Sequence, residues 1–230
     1  MLSLNRCLIF SFLILQSSVV WADSQTTPSI AIFDSGSTSP HEAKVKKAFS
    51  GEPACQGLKI FSFAVYEING DLKTKTVLEQ IAKAEKTGAT IFHFSWNLPG
   101  TEDSKPISQQ LEKLIKKNNF VVAAAGDAQK TLSERLPVEQ TIMGQINGAF
   151  VIGEVNANGN LNPQSHYGPG LFAADTAPEG FQGSSFSAVR FTCLLAKSLK
   201  TSAPDIVREK LESKRKNTAP KYPTFAELFK

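Results

Sequence analysis

From Ser29 onward the chain alternates short, β-rich apolar runs with polar-faced windows whose apolar residues recur at helical spacing. "SIAIFDSG" (29–36), "LKIFSFAVYE" (58–67), "ATIFHFSW" (89–96), "FVVAAAG" (120–126) and "GAFVIGEV" (148–155) read as strands. "SPHEAKVKKAFSG" (39–51) reads as a helix capped by Ser39 and stopped at Gly51. "KTVLEQIAKAEKTG" (75–88) places Val77, Leu78, Ile81 and Ala84 on one helical face, and "ISQQLEKLIKKNN" (107–119) is a third helix. Asn69-Gly70 marks a turn and "NANGNLNPQSHYGPG" a loop; helices at about 185–200 and 203–215 close the domain. Strand, helix, strand at this rhythm predicts an α/β fold, a mostly parallel sheet flanked by helices on both faces. Such sheets carry their working residues beyond the carboxyl ends of the strands, where Asp34, Ser95 to Asn97 and Gly126-Asp127 fall.

The first residues change the picture of the compartment. "MLSLNRCLIFSFLILQSSVVWADSQ" has Arg6 before an apolar core and small residues at Val20 and Ala22, the pattern of an export signal cleaved between Ala22 and Asp23. Its apolar part is shorter than the ~20 residues of a spanning helix, so no stable membrane span is expected after cleavage. The expected organisation is a leader at 1–22, one domain at 23–215 and a Pro-containing tail at 216–230, in a secreted or periplasmic protein. Of three cysteines, Cys55 and Cys193 outlast cleavage, and an oxidising compartment lets them pair, although spacing does not show that they meet. The net charge of +4 names no partner, and the basic "REKLESKRKNTAPK" reads as a solvated helix face, so nucleic acid is not expected. Nothing has metal-ligand spacing, and neither a metal nor a cofactor is expected.

"FQGSSFSAVRFTCLLAKSL" (181–199) opens an apolar helix on Ser184 and Ser185, which are either caps or a nucleophile. Read in order, "IAIFDSG", "KTGATIFHFSWN", "VVAAAGD", "SHYGPGLFAADTAPEG" and "GSSFSA" resemble five segments of the subtilases, the subtilisin-like serine proteases. The resemblance is collinear from about Ser29 to Lys214. It implies Ser185 as nucleophile, Asp34 as the carboxylate that orients the base, and Ser95, Trp96 and Asn97 along a groove that takes an extended peptide. Trp96 equally suits a cap on the core.

The chain departs from that pattern at the base. The family's HGTH signature is absent and only His41, His93 and His166 are available. His93 sits within a strand and reads as a hydrogen-bonded core residue, and His166 as a loop residue with no catalytic task. His41 admits two alignments. It stands seven residues after Asp34, as a non-catalytic histidine of the family does, and it also heads the helix before "KIFSFAVY", where the catalytic histidine belongs. Asp127 occupies the place of the oxyanion asparagine, a donor worth ~3 kcal/mol that an ionised carboxylate does not replace. Val189 stands where the family commonly has proline and Cys193 where a small residue is common, and with only a few residues between the expected cleavage site and the first strand no inhibitory pro-segment is expected. The sequence thus points to a serine endopeptidase using Asp34, His41, Ser185 and Asp127, with a polypeptide substrate. The alternative is an inactive relative that binds a peptide or protein partner in the same groove.

Overall fold

The computed structural model describes residues 27–36, 39–66, 71–128, 135–156, 158–216 and 222–230, without the side chains of 215 and 216. The expected leader with Cys7, the Asn69-Gly70 turn and Pro220 lie outside them. The strands are β1 (Ser29–Asp34), β2 (Lys59–Ala64), β3 (Ile91–Phe94), β4 (Phe120–Ala124), β5 (Phe150–Glu154) and β6 (Ala173–Asp175). They form one six-stranded sheet in the order β2-β1-β3-β4-β5-β6, every pairing parallel. The helices are α1 (Pro40–Gly51), α2 (Thr74–Glu85), α3 (Lys105–Lys116), α4 (Ser184–Leu199), α5 (Pro204–Lys216) and α6 (Phe225–Leu228).

Parallel strands are joined by crossovers that bury both faces, and alternation along each strand divides the core in two. On one face Ile30, Ile32, Ile91, Val122 and Phe150 meet Val45 and Phe49 of α1 and the apolar side of α4. On the other, Ala31, Phe33, Phe92, Phe94 and Val121 meet Val77 and Ile81 of α2 and Ile107, Leu111 and Leu114 of α3. Phe33 stacks on Phe63, Phe92 and Phe94, with centroids 4.5–6.0 Å apart. A buried Phe side chain contributes about 1.5–3 kcal/mol, so this stack weighs heavily on that face. β2 is the exception to full coverage: as an edge strand it leaves Lys59, Ile60, Ser62 and Ala64 exposed.

Two features went unread in the sequence. β6 is only three residues long, in a stretch after the 156–170 loop to which no element was assigned. The described end of the expected tail, 222–230, is packed in place: the Phe225 N–H donates to Asp175 Oδ2 at 2.7 Å, the Ala174 N–H to the Pro223 carbonyl, and Phe225 and Leu228 are buried.

The strand order fixes where a site forms. The chain leaves β1 through α1 on one face, returns from β2 through α2 on the other, and pairs β3 on the opposite side of β1. Beyond the carboxyl ends of β1 and β3 the order reverses, which opens a crevice.

Candidate active site

That crevice is a cleft of about 710 Å³ whose lining includes Asp34, His41, Tyr66, Asp127, Ser185 and Phe186. A second hollow, of about 690 Å³, lies at the start of α2 beside Leu72, Thr74 and Asp103 and holds no histidine or serine. Chemistry therefore favours the first.

Asp34 is the last residue of β1, and His41 lies in the first turn of α1. Ser39 caps that helix by accepting from the His41 N–H at 3.2 Å, and Pro40 begins it, a residue suited to a first turn that lacks N–H partners. The imidazole reaches back so that Nδ1 lies 3.0 Å and 3.1 Å from the two Asp34 oxygens. Ser35 adds donors from its N–H and hydroxyl to Oδ1, at 2.6 Å and 2.7 Å. Burial would push the Asp34 carboxyl up, but the His41 hydrogen bond and charge, with the Ser35 donors, outweigh it and hold it below the usual range. The same bond holds the His41 proton, so the imidazole lies above its ordinary value despite partial burial and nearby Lys44. Near Asp34, burial pushes the Tyr66 phenol up to about 12, so it stays neutral.

Ser184 and Ser185 are not caps. Gly183 is the N-cap of α4, with φ +118°, a conformation that side chains rarely adopt, and it places the two serines at the first two helical positions. Ser185 Oγ donates to the Ser95 carbonyl at 2.8 Å, and no hydrogen bond joins it to His41. Its backbone N–H makes no hydrogen bond among the described residues, as the first N–H groups of a helix lack helical partners. Ser184 Oγ accepts from the Gly126 N–H at 3.2 Å and donates to Asp127 Oδ2 at 3.1 Å, while the Ser184 N–H donates to the same oxygen at 3.2 Å. Asp127 Oδ1 makes no hydrogen bond among the described residues. Burial pushes the Asp127 carboxyl up; the Ser184 donors and His41 pull it down, Glu154 pushes it up, and it lies above its ordinary value.

The expected groove residues divide. The backbone of 95–97 rims the cleft, but the Asn97 amide is spent inside: Nδ2 donates to the Ala125 carbonyl and Thr141 Oγ1, and Oδ1 accepts from the Met143 N–H. Asn97 still lines the cleft, with its side-chain amide turned into the protein. Trp96 packs edge-on against Phe94 and Tyr66, with its indole N–H unpartnered among the described residues. That is the core-capping role. His93 is fully buried between Thr192 Oγ1 and Ser95 Oγ, and burial pushes it down to about 3, so it stays neutral. The His166 ring lies against Gly126, where an added Cβ would stand 2.7 Å from it, and its Nδ1 accepts from the Leu136 N–H.

Cys55, in a short turn after α1, is bonded to Cys193 in α4 across 138 residues of sequence. The bridge ties the helix bearing His41 to the helix bearing Ser185. No group of three or more potential metal ligands occurs among the described residues, and no described helix is long and apolar enough to cross a membrane. The residue that sequence reasoning missed is Glu154, the end of β5, whose signal was a lone carboxylate closing the apolar run "FVIG".

No curated protein sequence matches the chain. Among solved structures, the fold is similar to a cold-adapted subtilisin-like serine proteinase, at 11% identity and TM-score 0.65, covering 83% of this chain and 82% of that one. It is also similar to the prenylagaramide maturation protease PagA, at 14% identity and TM-score 0.67, covering 88% and 93%. A lanthipeptide protease follows at 12% identity and TM-score 0.59, covering 88% and 78%. The sequence profile of the subtilase family matches residues 45–229, a span that takes in Asp127 and Ser185 and begins just after His41. With the profile over most of its length and a six-stranded parallel sheet of that architecture, the chain belongs to the subtilase family of serine-type peptidases.

Proposed function

We propose that this chain is an exported serine endopeptidase that hydrolyses peptide bonds through an acyl-enzyme on Ser185. The observation that carries the reading is His41 Nδ1 held on both Asp34 oxygens in the cleft that Ser185 also lines. With Nδ1 so held, Nε2 is the nitrogen left to act as base. Ser185 Oγ leaves the Ser95 carbonyl, a bond worth about 1 kcal/mol net, and gives its proton to Nε2 as it attacks the scissile carbonyl. The oxyanion is met by the Ser185 N–H at the positive end of α4 and by a proton on Asp127 Oδ1. His41 then protonates the leaving amine, and water, deprotonated by the same imidazole, releases the acyl group. The disulfide supports an oxidising destination, in keeping with a leader cut after Ala22.

A second reading rests on the same hydroxyl: Ser185 satisfied by Ser95 suits an inactive protein that binds extended peptides in the cleft. Fluorophosphonate labelling across a pH series, with Ser185→Ala as control, separates the two. Labelling that Ser185→Ala abolishes supports the peptidase; its absence at every pH leaves the binding reading.

A further inference from the structure

β5 ends in a carboxylate that the acyl-transfer chemistry leaves unused. Glu154 is 4% exposed. One of its oxygens accepts from the Gly183 N–H at 2.8 Å and the other from the Asn162 amide, and no Lys or Arg pairs with it among the described residues. A Cβ on Gly183 would stand 3.4 Å from Asp127 Oδ2, so two carboxyl groups flank the glycine that launches the nucleophile's helix. Their hydrogen bonding differs. Both Glu154 oxygens accept from donors, as an ionised carboxylate does, whereas Asp127 leaves Oδ1 free to carry a proton.

We propose that Glu154 is a positioning residue for the acyl-transfer site: it holds Gly183 by its backbone, and its buried negative charge on the far side of that glycine favours the neutral acid at Asp127. The inference rests on the oxyanion role given to Asp127 above. Two like charges in a shared, water-poor site do not ionise together freely. Each carboxyl here receives two donors; Glu154 takes one on each oxygen and Asp127 takes both on Oδ2, so Asp127 is the group with an oxygen left to keep the proton. The other groups facing this corner are His41 of α1, which opposes the effect, the Ser184 donors of α4, and His166 in the loops behind Gly126, whose imidazole burial and then Arg135 hold below its ordinary value.

The test is Glu154→Gln, whose amide oxygen can still accept from Gly183 while Asn162 turns its own amide. The Asp127 carboxyl is followed by carbon-detected NMR titration, assigned with Asp127→Asn. In Glu154→Gln it should titrate about one pH unit lower. The acid limb of kcat/KM should move the same way, and the maximum should fall about tenfold. In an Asp127→Asn background the substitution should change kcat/KM less than about twofold. An unmoved Asp127 titration, or an equal loss in both backgrounds, overturns the proposal. Should Glu154→Gln not fold, Glu154→Asp decides: it draws the carboxylate back by one methylene, so the Asp127 titration should fall part-way, and an unmoved Asp127 titration overturns the proposal. A lowered Asp127 titration in a protein that never labels at Ser185 would uphold the carboxyl pairing and sink the peptidase reading instead.

Discussion

On the β1 side of the cleft, His41 is closed onto both Asp34 oxygens; on the α4 side, Ser185 donates to the Ser95 carbonyl and Asp127 Oδ2 is taken by Ser184. The first half is local. Its residues stand seven apart, joined by a capped helix start, and burial plus complementary charge assemble them without substrate. The second half joins segments 57 and 90 residues apart, and its polar groups hold one another in the resting state. On the proposed mechanism a substrate displaces bonds there, whereas on the other side it meets a finished pair.

The severest way to break the finished half is Asp34→Asn. The amide would offer His41 a donor where it needs an acceptor, and kcat/KM should fall on the order of 10⁴-fold. The His41 titration, raised by its bond to Asp34, should drop toward the ordinary histidine value. The sign follows for stability as well. The His41 contribution is present at low pH and is lost as pH rises through its raised value; the Asp34 contribution appears above its depressed value and is lost in acid. An active variant with an unmoved His41 titration would reduce the pair to a structural contact.

The Cys55–Cys193 bridge spans the two halves, from the short turn after α1 to the middle of α4. Replacing both with alanine should lower unfolding free energy by about 2–5 kcal/mol, read from denaturant midpoints, because the reduced chain regains a long loop's freedom. If His41 and Ser185 depend on the bridge for their spacing, kcat/KM measured well below the midpoint should fall too. Retained activity would show that α1 and α4 hold register by packing alone.

The same division explains what the sequence disclosed. Five strands and the helices between them were legible, because strands buried on both faces read as continuous apolar runs and α2 and α3 carry clear stripes. β6 was not, because a three-residue strand lacks a period. Local pattern placed Asp34 at a strand end and Ser185 at a helix start, as the structure has them, and the roles proposed for them came from the family resemblance. His41 stayed between two alignments, because only the reach of its ring to Asp34 distinguishes them. The direction of the Asn97 amide was not legible, because it turns to Ala125, Thr141 and Met143, contacts 28 to 46 residues away that no local pattern encodes. Glu154 went unseen because its partners are a backbone N–H and an amide on other segments.

Asp127→Asn sharpens the comparison most finely, through the shape of a pH profile. On the proposed mechanism the productive form of the wild type needs neutral His41 and protonated Asp127. The imidazole ordinarily lies about 2.5 units above the carboxyl, and both are raised here. Between the two values the dominant form is imidazolium with carboxylate, and the productive form is its minor tautomer with the same proton count. kcat/KM should therefore trace a bell, with an acid limb from Asp127, an alkaline limb from His41 and a depressed maximum. An asparagine donates at every pH, so the alkaline limb should vanish and the rate should rise through the His41 value to a plateau. At pH 8 the gain should be about tenfold or more, shrinking to nothing in acid. An unchanged bell, or a loss at every pH, would mean that Asp127 only anchors Ser184, and that the Ser185 N–H meets the oxyanion alone.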